Sequence, residues 1–222
     1  TKLPKIDLLI GGSPCQDFSI ANSVRNGLRG EKSVLFFEYL RLLKECNPKH
    51  FLLENVVMDR FNYIAISDYL KTYPVRINSE LVSAQYRDRM YWTNIGSEDF
   101  NLFGERICSI PQPKDKKIVL SDILELGYTD RQKHTCLNTS SGRDATQRYM
   151  LHRYATTGMT TIIFNDPNLT EENGVRYCTQ RELEKLQTVP IGYTSILNKS
   201  QAGNLLGDGW TVDVIVHIFS YL

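Results

Sequence analysis

The 222-residue chain is short of the features that place a protein at a glance. Its five cysteines, Cys15, Cys46, Cys108, Cys136 and Cys178, are scattered and odd in number, without a Cys-x-x-Cys pair or a Cys/His cluster. That spacing indicates neither a zinc site nor a disulfide framework, and it fits a reducing cytosol. No apolar run is long enough to span a bilayer, and no secretory leader is expected. Neither sign of charge dominates. Lys and Arg number 26 against 25 Asp and Glu, a formal net charge of +1, so the chain as a whole carries no basic signal for a polyanion. Internal repeats and low-complexity tracts are lacking too.

What is present suits a packed protein. Hydrophobic residues make up 41% of the chain, enough for a core, and charged residues only 23%, too few for disorder. The length allows one large domain or two small ones. The stretch "DLLIGGSPCQDFSIAN" reads as a buried strand, Ile6 to Ile10, stopped at Gly11 and Gly12, with Pro14 fixing the backbone before Cys15. "SVLFFEYLRLLKEC" (33–46) carries apolar residues at helical spacing and ends at Asn47 and Pro48. "HFLLENV" is a short apolar strand. A second helix runs from Tyr63 to Thr72, closed by Pro74. The order strand, helix, strand, helix predicts an α/β fold with a parallel sheet. "VRINSELVSA" and "RMYWTNI" read as two more strands, linked by the polar "QYRDR".

From about Ser97 the texture changes, and residues 97–175 show no long periodic segment. "IVLSDILELG" reads as a short helix capped by Ser121. Between Arg131 and Phe164 the basic residues are Arg131, Lys133, Arg143, Arg148 and Arg153, against Asp144 alone. His134, Tyr149, His152 and Tyr154 are interleaved with them. On composition, that local excess fits a solvated loop region as well as a polyanion surface. "TQRELEKLQ" predicts a helix capped at Thr179, and "GWTVDVIVHIFSYL" a final amphipathic helix.

Three polar features fall at predicted strand ends: Cys15, the pair Glu54–Asn55, and the arginines Arg87 and Arg89. The carboxyl ends of neighbouring parallel strands converge, so Cys15 and Glu54 could face one pocket. A carboxylate inside an apolar run is costly unless paired or functional, and Arg87 or Arg89 is a plausible partner. Taken singly, Cys15 equally fits a buried structural thiol, Glu54 a salt bridge, and the arginines a surface pair.

Taken together, these segments resemble the DNA cytosine-5 methyltransferase family. "GGSPCQDFS" resembles its Pro-Cys motif, "ENV" (54–56) its Glu-Asn-Val motif, and "QYRDR" (85–89) its Gln-x-Arg-x-Arg motif. "TQRELEKLQTVP" (179–190) resembles the segment closing its target-recognition region. "GNLLGDGWTVDVI" (203–215) resembles the C-terminal motif that returns to the cofactor pocket. The five occur in family order, and the likeness extends to the de novo DNA methyltransferases as well as to bacterial and phage enzymes. The family's Phe-x-Gly-x-Gly turn, which holds the methionine part of S-adenosylmethionine, has no counterpart here. Gly207-Asp208 stands where Gly-Asn is usual.

The resemblance implies the C-terminal half of a Rossmann-like class I methyltransferase sheet over 1–96, a small mixed target-recognition domain over 97–176, and a returning segment over 177–222. It implies methyl transfer from S-adenosylmethionine to C5 of a flipped-out cytosine in double-stranded DNA. Cys15 is then the nucleophile, Glu54, Asn55, Arg87 and Arg89 its companions, and Pro14, Asp208, Gly209 and Trp210 the cofactor contacts. Gln16, Ser19, Arg131, Lys133, Arg143, Arg148 and Arg153 are the DNA-binding candidates. A second polypeptide carrying the N-terminal cofactor motifs is expected as a partner, and no metal is. Two alternatives remain: a transfer-RNA cytosine-5 methyltransferase, and a non-catalytic regulatory subunit.

Overall fold

The structure is a computed structural model. It describes residues 5–12, 34–96, 98–158, 160–165 and 174–222. Pro14, Cys15, Gln16 and Ser19 lie outside the described residues. Two compact units emerge. One comprises residues 1–77, 88–112 and 218–222, and the other 78–87 and 113–217.

The first unit is built on a mixed four-stranded sheet. β1 (Leu8–Gly12) pairs in parallel with β2 (His50–Val56), after the connecting helix α1 (Val34–Cys46). Helix α2 (Arg60–Leu70) follows, capped by the Asp59 carboxylate, which accepts from the Asn62 N–H. β3 (Val75–Asn78) and β4 (Asp88–Thr93) complete the sheet in the spatial order β1-β2-β4-β3. β4 runs antiparallel to β2 and separates it from β3, so the sheet is not parallel throughout as the element order suggested. The alternation of strands and helices ends at β3. Residues 79–87, which join β3 to β4, are too few for a crossover helix, and the chain folds straight back. "VRINSELVSA" likewise gives only four strand residues before a single 3-10 turn, Ser79–Leu81, bends it away.

One face of this sheet presents Phe51 and Leu53 from β2 and Met90 and Trp92 from β4. Phe36, Tyr39 and Leu40 of α1 and Ile66 and Leu70 of α2 join them in one buried cluster. Gly11 is required here: a Cβ at that position would stand 2.8 Å from the Tyr39 ring. Alternation places Glu54 and Tyr91 on the opposite face from this cluster. A hairpin of β5 (Glu98–Phe100) and β6 (Arg106–Cys108) ends the unit's second segment.

In the second unit, residues 118–127 form a 3-10 turn, Leu120–Asp122, rather than a helix capped by Ser121. Val119 precedes the turn, and its N–H donates to the Asp122 carboxylate. α3 (Gln147–Thr157) lies where no periodic segment was legible. Its mean hydropathy is low, so it shows almost no apolar stripe, and it is set by caps at both ends, Thr146 and a left-handed Gly158. β7 (Ile163–Phe164) and β8 (Val175–Arg176) form a short antiparallel pair. α4 (Gln180–Leu186) begins at the expected Thr179, which exchanges hydrogen bonds with Glu182 in a capping box. α5 (Lys199–Asp208) and α6 (Val212–Phe219) complete the chain. Gly203 and Gly207 on α5 lie against the backbone of residues 138–142, where a Cβ on either would collide with main chain. The unit's core gathers Leu120, Leu137, Ile163, Leu183, Leu186 and Leu206. Among the described residues no helix is long and apolar enough to cross a membrane.

Candidate functional site

In the first unit the candidate chemistry sits where β1, β2 and β4 run side by side. Gly12, the last residue of β1, is directly opposite Glu54 of β2. Across the antiparallel pair Glu54 faces Tyr91, and Arg89 faces Val56. Glu54 and Arg89 are therefore diagonal neighbours on one face. Their side chains meet there: Arg89 Nε donates to Glu54 Oε1 at 2.9 Å, with both side chains largely removed from solvent. Arg89 Nη1 also donates to the Asp88 carbonyl at 2.8 Å. A shielded carboxylate is thus neutralised by a guanidinium whose own donors are directed by the backbone. Asn55 is buried on the other face, and its Oδ1 accepts from the Val56 N–H at 2.8 Å.

Arg87 has a different place. It lies in the second unit and is 4% exposed. Nη1 donates to the Leu137 carbonyl at 3.0 Å, and Nη2 to the carbonyls of Gly207 at 3.1 Å and Gly209 at 2.8 Å. Gln85 works beside it. Its Nε2 donates to the Leu186 carbonyl and to Gln187 Oε1, and its Oε1 accepts from the Leu137 N–H. Gln85 and Arg87 of "QYRDR" therefore bind the 137 loop and the ends of α4 and α5 into one piece. That includes the turn carrying Asp208, Gly209 and Trp210. The structure does not bring Arg87 to Glu54 as an ion-pair partner; Arg89 fills that place. Sequence reasoning missed Gln85, Gln187 and Thr211 as this clamp's other members. Thr211 Oγ1 donates to Gln187 Oε1 at 2.9 Å. Nothing in their spacing marks them, because their partners, one another's side chains and main-chain groups, are remote in sequence.

The basic candidates also separate. The Lys133 ammonium is turned inward and donates to the carbonyls of Glu80, Ser83 and Ile118 at 2.6, 2.9 and 2.6 Å. Arg131 donates to the Gly158 carbonyl at the C-terminal end of α3, and its guanidinium lies 5.5 Å from the centre of the Tyr154 ring. Arg143, Arg148 and Arg153 are exposed on α3 and the loop before it. Arg143 and Arg153 line a cavity of about 440 Å³ within the second unit, together with His134, Asn138, Tyr149, Thr161 and Tyr177.

Of the described cysteines, Cys178 and Cys108 have their thiols pushed up by burial, which keeps the neutral form. Among the described residues no group of three His, Cys, Asp or Glu is placed to hold a metal ion.

The fold is that of an α/β protein with a mixed sheet. The fold is similar to the crystal structure of the S. pombe Dnmt2 methyltransferase. That likeness has a TM-score of 0.59 over 96% of this chain and 77% of the other, at 18% identity. In sequence, residues 1–60 match the family model of C-5 cytosine-specific DNA methylases. The chain is 31% identical over 169 residues to the orphan methyltransferase M.SPRI of Bacillus phage SPR, and 32% identical over 136 residues to the type II methyltransferase M.FnuDI of Fusobacterium nucleatum. These matches take in 69% and 56% of this chain, which spans 38% and 39% of the length of those relatives. The chain is thus related to the DNA cytosine-5 methyltransferases.

Proposed function

We propose that this chain is the catalytic and target-recognition part of an enzyme that methylates C5 of a cytosine flipped out of double-stranded DNA. The observation that carries the reading is the register Gly12↔Glu54. Cys15 stands three residues beyond Gly12 in sequence, a length of chain that spans about 10 Å at most, which supports a reading in which thiol and carboxylate serve one site.

Cytosine C5 is a weak nucleophile. Addition of the Cys15 thiolate to C6 makes the ring enamine-like, and electron density then reaches C5. Glu54 holds the N3 and N4 edge and shares a proton at N3 as charge builds there. Arg89 fixes the Glu54 carboxylate and faces the pyrimidine O2 or a flanking phosphate. Loss of the C5 proton to a water molecule acting as base, with expulsion of the thiolate from C6, restores the aromatic ring. The base leaves the stack at a cost of about a few kcal/mol, and Gln16 and Ser19 are the residues proposed to contact a phosphate or fill the gap. S-adenosylmethionine, when bound, supplies the electrophilic methyl group. Of the described residues, Asp208, Gly209 and Trp210 on one turn would hold it, and Pro14, outside the described residues, is proposed on the resemblance alone. The turn offers an exposed carboxylate and an indole, suited to a cationic purine nucleoside, and Arg87 pins its backbone. Arg87 serves the reaction at second hand, by holding that turn.

In this reading residues 1–96 are the C-terminal half of a Rossmann-like sheet, 97–176 the target-recognition domain, and 177–222 a segment that returns to the catalytic domain. β1 is the edge of the described sheet, and Ile10 on it is 46% exposed. An apolar edge of this kind takes further strands, and a second polypeptide with the N-terminal cofactor motifs is the partner proposed.

The decisive experiment is covalent trapping on duplex DNA carrying 5-fluorocytosine, with S-adenosylmethionine and the reconstituted protein. The native chain traps, and Cys15→Ser neither traps nor methylates. Methylation that survives Cys15→Ser overturns the assignment and favours a regulatory role. The same assay on transfer RNA separates the RNA-modifying alternative.

A further inference from the structure

We propose that the cavity of the second unit, whose lining includes neither Glu54 nor Arg89, is a nucleotide site. It would take one unstacked nucleotide, phosphate on Arg143 and Arg153 and base against Tyr149 and Tyr177. The proposal rests on the reading of nucleic acid as substrate only for the source of that nucleotide. The cavity's about 440 Å³ falls within the range of about 300–1,000 Å³ usual for small-ligand pockets.

Its lining has the chemistry. Two exposed arginines stand against one acid, Asp144, and that carboxylate is drawn to Lys199 at 3.2 Å. The field left over favours a phosphate. Two tyrosines supply flat apolar surface for a base. His134 is 8% exposed and fixed on both sides: its N–H donates to the Ala84 carbonyl, and its carbonyl accepts from the Tyr86 N–H. Nδ1 lies against the Thr135 carbonyl at 2.5 Å, so it must be the protonated nitrogen, and Nε2 remains as an acceptor. Burial lowers the His134 pKa to about 4, so the acceptor persists at neutral pH. Asn138 supplies the opposite polarity. Its Oδ1 accepts from the Ser140 N–H and hydroxyl, which leaves the Nδ2 amide as the donor. The amino and carbonyl groups of a base edge complement such a pair.

Cys136 lines the same cavity and provides the probe. Alkylation of the full chain by iodoacetamide, followed at Cys136 by mass spectrometry, is measured with duplex DNA and separately with a deoxynucleoside monophosphate. Duplex binding is followed in parallel by fluorescence anisotropy. At ten times Kd the Cys136 rate falls roughly tenfold, and Tyr149→Ala or Arg153→Ala, both at exposed positions, restores it. Protection by the duplex assigns the nucleotide to the strand. Protection by the monophosphate alone keeps the site and assigns it to a free nucleotide. A duplex that binds by anisotropy but leaves Cys136 unprotected, with the monophosphate also inactive, overturns the site and leaves DNA as substrate untouched. If neither ligand protects and no duplex binds, both readings fall.

Discussion

Arg87 Nη2 donates to the carbonyl of Gly209 at 2.8 Å, across 122 positions of sequence. One planar guanidinium so fixes the loop at Leu137 and both sides of Asp208. A lysine has the charge but not the fork. Arg87→Lys is expected to leave at least one buried carbonyl unmet, at about 1–3 kcal/mol. It should weaken S-adenosylmethionine binding more than DNA binding. Urea unfolding and calorimetric titration of the reconstituted protein measure the two effects. An unchanged cofactor Kd would separate the clamp from the Asp208 turn.

The Glu54–Arg89 pair gives a sharper test. Arg89→Ala strands a shielded carboxylate and should cost about 3–5 kcal/mol. The double change Glu54→Gln, Arg89→Met should recover most of that loss. A thermodynamic cycle of Glu54→Gln, Arg89→Met and their combination, read by urea unfolding, gives the coupling. Methyl transfer stays absent in these three variants and in Arg89→Ala. That separates the pair's structural part, which can be replaced, from its chemical part, which cannot.

Legibility in the sequence followed how local each signal was. β2 and α1 were visible within a residue or so, because one apolar period runs through each. The Thr179 cap was visible because a capping box is a four-residue signal. The sheet's order was not, since the insertion of β4 between β2 and β3 depends on pairing between distant segments. α3 was hidden because its polar surface is nearly continuous. Glu54 was singled out as a carboxylate in an apolar run, and its two candidate partners were named. What decides between Arg87 and Arg89 is where β4 begins: Arg89 lies on the strand, diagonal to Glu54, whereas Arg87 precedes it and donates to carbonyls of the second unit. Lys133 counts among the DNA-binding candidates in the sequence because composition does not show three carbonyls waiting for it.

Backbone contact without side chains explains the glycines of α5. Gly207→Ala sets a methyl into the main chain of Asn138 and Thr139 and should destabilise the chain by about 1–3 kcal/mol. Gly158, with open space around it, bears only a left-handed backbone. Gly158→Ala should cost about 1–2 kcal/mol through conformation alone. Gly158→Asn should recover part of that loss, whereas Gly207→Asn should be worse than Gly207→Ala. Thermal melts of the four variants separate crowding from dihedral strain.

His134 makes stability depend on pH. Burial is the main cause of its lowered pKa; the Thr135 carbonyl opposes the shift and Arg131 adds to it. The folded value, about 4, lies below the ordinary 6.5, so between them the unfolded chain holds the extra proton. Stability is therefore fully present above pH 6.5 and is lost as the pH falls toward 4, by on the order of 3 kcal/mol across the window. His134→Asn retains a donor for the Thr135 carbonyl and does not titrate. Its unfolding free energy should be flatter over this range than that of the native chain. Equal slopes would remove His134 as the cause.

Lys133 and Arg148 carry the same charge and should behave as opposites. Arg148 is exposed on α3, so Arg148→Ala should leave unfolding within about 0.5 kcal/mol of native. If Arg148 meets a phosphate, the same change lowers the slope of log K against log salt by about 0.9 for duplex DNA. Lys133 spends its three donors on carbonyls inside the protein. Lys133→Ala should thus cost stability, by about 1–3 kcal/mol or more as buried acceptors lose their partner, and leave the salt slope of the folded protein unchanged. Anisotropy titrations at several salt concentrations, paired with urea melts, give both numbers for each variant. A salt slope that falls for Lys133→Ala and not for Arg148→Ala would reverse the division between them, and would place the DNA against the Glu80–Ser83 side of the unit.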